Sequence, residues 1–210
     1  SLDAINVTVL TNRRTAIDLA AGRPLLGEFM RDLSDSGDPN QGRKPAIVIN
    51  EIMADNKTAF MDPDEPQEYP DWFELYNASG LYIDMGGMYL TDNAANLRQY
   101  RIPDGVTIAP RGYLVFIADG ETEQGPLHVP FNLSKDGETL VLYDVDERGN
   151  QAIDQWAFES MEADESYGRS PVDASAWVQL EAPTPGQFNQ PITTTEFVYL
   201  PTISTINACY

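Results

Sequence analysis

Short apolar runs broken by turn residues dominate residues 46–189. β-branched and aromatic side chains concentrate at 46–53, 72–77, 88–91, 98–102, 106–108, 113–118, 139–144, 152–158 and 177–180. Between them fall Ala-Ser-Gly (78–80), Pro-Asp-Gly (103–105), Ala-Pro-Arg-Gly (109–112), Lys-Asp-Gly (135–137) and Arg-Gly-Asn (148–150). Runs of this length bounded by Gly, Pro, Asn and Asp predict strands joined by turns. Side chains alternate along a strand, so Trp72, Glu74 and Tyr76 share one face and Phe73, Leu75 and Asn77 the other. Phe73 and Leu75 are natural core residues. Helical periodicity is not sustained anywhere in this stretch, and the expected domain is all-β, a sandwich or a barrel.

The flanks read differently. Residues 5–10 are β-branched enough for a short strand, and Pro24 suits the first turn of a helix carrying Leu25, Leu26, Phe29, Met30 and Leu33 at helical spacing. The Ser/Asp/Gly-rich run at 34–42 offers nothing to bury and reads as a linker. Residues 1–45 are thus expected to be a short, partly helical N-terminal extension, or the end of an upstream domain. Residues 190–210 read as a Thr-rich C-terminal tail in which Phe197-Val-Tyr-Leu-Pro is one candidate strand.

Charge sharpens these divisions. The 210 residues carry 33 Asp and Glu against 13 Lys and Arg, a formal charge of -20. Residues 1–45 balance six bases against six acids, so the whole excess lies beyond Pro45. Such a surface opposes nucleic acid, whose phosphates need clustered Lys and Arg, and opposes an anionic membrane. Ten Tyr, eight Phe and three Trp provide enough bulk for a core, which argues against disorder throughout. The chain has one cysteine, Cys209, and one histidine, His128. An intramolecular disulfide, a cysteine zinc cluster and a multi-histidine metal site are therefore excluded. No apolar window is long enough for a membrane helix.

Several blocks then fall in a recognisable order: Ile49-Asn-Glu-Ile-Met-Ala54, Asp71-Trp-Phe-Glu-Leu-Tyr-Asn77, Ile83–Asp92, Ile102-Pro-Asp-Gly105 and Gly112-Tyr-Leu-Val-Phe116. They continue with Phe131-Asn-Leu-Ser134, Gly137-Glu-Thr-Leu140, Ser166-Tyr-Gly-Arg169 and Pro183-Thr-Pro-Gly-Gln-Phe-Asn189. The ordered set resembles the lamin tail domain family in its bacterial secreted form, over about residues 46–189. The resemblance implies an immunoglobulin-like β-sandwich without a known catalytic centre. It also implies a place in exported proteins, beside domains such as spore-coat-protein-H-like kinases, nucleases and hydrolases.

Candidate chemistry is sparse. The loop 62–71 holds Asp62, Asp64, Glu65, Glu68 and Asp71, and three prolines that limit its freedom. Calcium takes six to eight oxygen ligands, so these five carboxylates are the candidate calcium set. The competing reading is a solvated acidic loop. Asp144-Val-Asp-Glu-Arg-Gly-Asn150 has acids at alternate positions, but Arg148 and Gln155 occupy ligand positions of a calcium loop, so a hairpin connection explains it better. Glu74 between aromatic residues suits a sugar or, more simply, a sandwich strand. Arg169 is expected to pair with a carboxylate such as Glu74. His128 has no nucleophile elbow near it and reads as a loop or edge-strand residue. No phosphate loop, dinucleotide motif or zinc motif occurs.

The expected function is a non-catalytic interaction or linking module of an exported bacterial protein, extracellular or at the cell surface, and part of a larger multidomain chain. Its expected partner is a protein or carbohydrate surface ligand, with no nucleic acid and no membrane insertion. Two alternatives stand beside it: an appendage of an upstream kinase-like or hydrolase domain, and a calcium-stabilised structural spacer.

Overall fold

A computed structural model describes residues 44–192, all within the unit Lys44–Tyr210. The strand and helix expected before residue 44, the tail beyond Ile192 and Cys209 lie outside the described residues.

The strands are β1 (Ile47–Met53), β2 (Asp71–Asn77), β3 (Ile83–Asp84), β4 (Tyr89–Thr91), β5 (Tyr100–Arg101) and β6 (Thr107–Ile108). They continue with β7 (Tyr113–Ala118), β8 (His128–Val129), β9 (Glu138–Tyr143), β10 (Ala152–Phe158), β11 (Tyr167–Arg169) and β12 (Trp177–Gln179). A six-stranded sheet runs β12-β11-β1-β2-β7-β8, a four-stranded sheet β10-β9-β4-β5, and β3 pairs with β6. Pairing is antiparallel except between β7 and β8. The two larger sheets enclose one core, to which Ile47, Ile49, Ile52, Phe73, Leu75 and Phe116 contribute from one side and Leu90, Leu140, Leu142, Ile153 and Phe158 from the other. Phe73 stacks on Phe116 and Phe131 with ring centroids 5.4 and 6.3 Å apart. Each such side chain, fully buried, contributes about 1.5–3 kcal/mol of transfer free energy. The fold is an all-β, immunoglobulin-like sandwich.

A bulge in β1 brings two polar side chains to one partner on β2. The β1–β2 register slips between Ile49 and Glu51, so Glu51 rather than Asn50 stands opposite Glu74. The apolar phase slips with it: Ile47 and Ile49 face the core before Asn50, Ile52 and Ala54 after it. One extra residue thus puts both Asn50 and Glu51 beside Glu74, as bulges commonly re-aim side chains.

The opposite face of the six-stranded sheet is covered in two places. Loop 54–70 lays Phe60 against Trp72, centroids 5.4 Å apart, in a small cluster with Met53 and Ile117. The segment 183–189 crosses β1 and β2 and buries Asn189.

Arg169 departs from expectation: it pairs with Asp154 at 2.5 Å, donates to the carbonyls of Ile49 and Ala174, and lies 4.9 Å from the Trp177 ring centroid. The cause is strand alternation. Gly168, opposite Glu51, occupies the Glu74 face, which turns Arg169 to the other side. There Asp154 also accepts from the Ile49 amide at 2.8 Å, and Trp156 stacks on Trp177 at 3.6 Å, tying β10 to the first sheet. The segment 144–150 connects β9 to β10, with Arg148 holding Asp144 at 2.6 Å and Gly149 supplying a left-handed residue.

Candidate functional site

His128 stands opposite Ile117 in the parallel β7–β8 pair, so it shares the outer face with Ile117 and Trp72. Asp119 follows directly on β7 and places Oδ2 2.7 Å from His128 Nδ1. Loop 54–70 supplies the third side. Asp62 Oδ1 accepts from the amides of Asp64 and Glu65 at 2.8 and 3.3 Å, and the Asp62 amide donates to the Glu68 carbonyl at 2.9 Å. That tight turn carries Asp64 Oδ2 to 3.3 Å from His128 Nε2. Donor atoms of Asp62, Asp119 and His128 all lie within 4.8 Å of one another. Asp62 and His128 are each 2% exposed, and Asp119 is half-buried.

More acid surrounds this point. The Gln124 carboxamide donates to Glu65 at 2.8 Å and also to Glu121. Repulsion from Glu65, then burial and the charges of Glu121, Asp62 and Asp119, push the Glu68 carboxyl above its ordinary value. Burial pulls the His128 imidazole down, but its contacts with Asp119 and Asp64 outweigh this and hold it above its ordinary value. Among the described residues no Lys or Arg forms an ion pair with any of these acids.

Of the five carboxylates singled out in the sequence, Asp62, Asp64, Glu65 and Glu68 ring this point. Asp71 does not: it opens β2 and accepts from the Asn56 amide at 2.9 Å. His128 lies on the edge strand β8, in keeping with its reading as a loop or edge-strand residue, but neither its meeting with the loop nor the part of Asp119 is legible in the sequence, because the β7–β8 pairing that joins them has no periodicity of its own.

A second polar centre lies under the segment 183–189. Thr184 donates its amide and hydroxyl to Glu51 at 2.9 and 2.6 Å. Pro185 and Gly186 occupy the central positions of a turn closed by Gln187 N to Thr184 O at 2.9 Å, with Gly186 at φ +76°. Proline followed by a positive-φ glycine is the type II pattern, and here it aims the Gly186 amide at Glu74. The Asn50 carboxamide donates to Glu74 at 2.8 Å and to Asn189 at 2.9 Å. The Asn189 carboxamide donates to the Arg169 carbonyl at 2.8 Å. A Cβ on Gly168 would stand 2.9 Å from Asn189 Cγ, so only glycine leaves room for this closure.

A third feature lies at one end of the sandwich. Asn77 donates its carboxamide to the carbonyls of Leu81 and Ala109 at 2.7 and 2.9 Å and accepts from the Ser79 amide at 2.8 Å. The Arg111 amide donates to the Ser79 carbonyl at 3.1 Å. Held this way, the loop presents Leu81 and Tyr82 at 61% and 70% exposure.

The sandwich, its covered outer face and its end loops define an immunoglobulin-like domain. The lamin tail domain family matches residues 40–160, more than half of the 210 residues, and the chain belongs to that family. Searched against curated proteins, the chain finds no match. Strands β11 and β12 and the segment 183–189 lie beyond the matched residues yet complete the same sheet and its polar centre.

Proposed function

We propose that this lamin tail domain is a non-catalytic binding and linking module of an exported, multidomain bacterial polypeptide. It engages a protein or carbohydrate at the cell surface through loops at the ends of its sandwich. Where the polypeptide includes a kinase-like or hydrolase domain, the module is its appendage and places it at that surface.

The observation that supports this reading is the hydrogen-bonded loop after β2. Leu81 and Tyr82 stand exposed while the backbone beneath them is fixed by Asn77. A preorganised loop loses little freedom on binding, and tyrosine is enriched among the residues that dominate interfaces. Loops on a rigid scaffold are the usual carriers of such contacts. Over residues 46–189, 26 acids against seven bases oppose a nucleic-acid partner.

The test applies the labelled full chain to glycan arrays and to protein and polysaccharide fractions of bacterial surfaces. Replacing both Leu81 and Tyr82 by Ser is expected to weaken retention by about tenfold or more. Equal retention would remove the loop from the interface. No retention of the native chain on any fraction would overturn the reading.

A further inference from the structure

We infer that Asp62, Asp119 and His128 form a site for a divalent metal of the zinc class, with Asp64 as the partner of the second imidazole nitrogen. This site is independent of the Leu81–Tyr82 loop.

Three separate segments bring the donors together: loop 54–70, the end of β7, and β8. Their donor atoms already lie within 4.8 Å of one another. Ligands held tetrahedrally at about 2.1 Å from zinc stand about 3.4 Å apart, so the widest gap, at most 4.8 Å, closes by up to about 1.4 Å while the 2.7 Å Asp119–His128 contact opens by about 0.7 Å.

The histidine separates this cluster from an ordinary acidic loop. It is the only one in the chain, it is 2% exposed, and both ring nitrogens meet carboxylates. Metal-bound imidazoles almost always donate their other N–H to a carboxylate or carbonyl, which fixes the tautomer and the ring. With Nδ1 on the ion beside Asp119 and Asp62, Nε2–H points at Asp64 Oδ2, 3.3 Å away. The arrangement supplies a ligand and its orienting partner together.

Charge argues the same way. Asp62, Asp64, Glu65, Glu68, Asp119 and Glu121 crowd one spot without a Lys or Arg ion pair among the described residues. Asp62 is buried and Asp119 half-buried, His128 is the cationic group beside them, and a dication offsets two carboxylate charges where one imidazolium offsets one. A nitrogen donor selects the metal. Calcium and magnesium take oxygen ligands, whereas imidazole with carboxylate suits zinc and its transition-metal neighbours. The expectation of calcium at the loop therefore gives way to a smaller ion bound off-centre from it, toward β8. Once bound, the ion fastens loop 54–70, and with it the Phe60 cover over Trp72, to the edge of the sheet.

The test titrates the metal-stripped full chain with zinc chloride and, separately, calcium chloride by calorimetry. One equivalent of zinc is expected to bind, at least about 100-fold tighter than calcium. X-ray absorption at the zinc edge should show one imidazole ligand near ~2.0 Å. H128Q is expected to lose affinity by about 100-fold, and D64N, at an exposed residue, by about tenfold. Replacing Cys209 with Ser should leave binding unchanged. If the native chain takes up no zinc at submillimolar concentration, or if the bound ion shows no imidazole ligand, the site is not a metal centre. His128 is then an imidazolium held between Asp119 and Asp64. Undiminished affinity in H128Q would equally overturn the assignment.

Discussion

Glu51 of β1 and Glu74 of β2 stand directly opposite one another, both fully buried. Among the described residues neither has a Lys or Arg ion-pair partner. Two neighbouring carboxylates out of water do not both ionise readily. Burial pushes Glu51 up, and the donors from Thr184 offset part of this. Burial, with a smaller contribution from the Glu51 charge, lifts Glu74 to about 7 against the donors from Gly186 and Asn50. The bulge at Asn50 creates the pair, and the segment 183–189 closes it.

Stability should therefore depend on pH in an unusual direction. The folded pKa of Glu74 lies above its unfolded value, so its contribution is complete below about pH 4.5 and is lost as pH rises toward and through about 7. The loss amounts to roughly 3 kcal/mol at 1.36 kcal/mol per unit. Glu74→Gln removes the titrating group and should flatten the profile, while its NH2, set against the Asn50 or Gly186 donor, should lower stability at pH 5. Urea unfolding at pH 5 and pH 8 measures this. The same slope in both proteins would show that Glu74 does not hold the proton.

Thr184→Val keeps the shape of the side chain but removes the hydroxyl that donates to Glu51 at 2.6 Å. A hydrogen bond to a charged group contributes about 1.5–3 kcal/mol. The variant should lose about 2 kcal/mol, and more at pH 8 than at pH 5, because an ionised Glu51 needs the donor more. Equal losses at both values would mean that Glu51 does not change its ionisation across that range.

The sequence reads well where strands are long and apolar. The runs at 72–77, 113–118, 139–144 and 152–158 lie within a residue or so of β2, β7, β9 and β10. Strands β3 and β8 have two residues each and carry no pattern, and β11 is interrupted by Gly168, whose value lies in the missing side chain. The bulge at Asn50 is hidden because Ile47-Val-Ile-Asn-Glu-Ile-Met is apolar on both sides of the slip. Pro183–Asn189 stood out as a block, but nothing local says that its turn faces Glu74. The acidic cluster was half legible for the same reason: Asp62 and Asp64 are neighbours in the chain, whereas Asp119 and His128 join them only through a parallel strand pair.

Arg169 makes a sharper case for chemistry over charge. Its planar fork reaches Asp154 and two carbonyls while lying over Trp177. Lysine keeps the charge but not the fork or the stacking. Arg169→Lys should cost about 2–3 kcal/mol by thermal or urea unfolding, close to the loss from Arg169→Ala. If Lys instead retained nearly all the stability, the carbonyl and ring contacts would be incidental.

Asp164 anchors loop 54–70 from the far side of its sequence. Its carboxylate accepts from the Thr58 hydroxyl and amide at 2.7 and 2.8 Å and from the amides of Lys57 and Ala59 at 2.7 and 3.2 Å. These bonds, the Thr58 hydroxyl foremost, lower its pKa to about 2. A lowered acid stabilises fully above its unfolded value, and the effect disappears as pH falls through about 2. Asp164 sits at φ +61°, which asparagine also tolerates, so Asp164→Asn removes the charge without backbone strain. At pH 6 the amides of Lys57, Thr58 and Ala59 should exchange with deuterium about tenfold faster in the variant, while β2 and β7 keep their protection. Unchanged exchange at those three amides would show that the loop is held instead by Asn56, whose carboxamide donates to the carbonyls of Phe60 and Pro70.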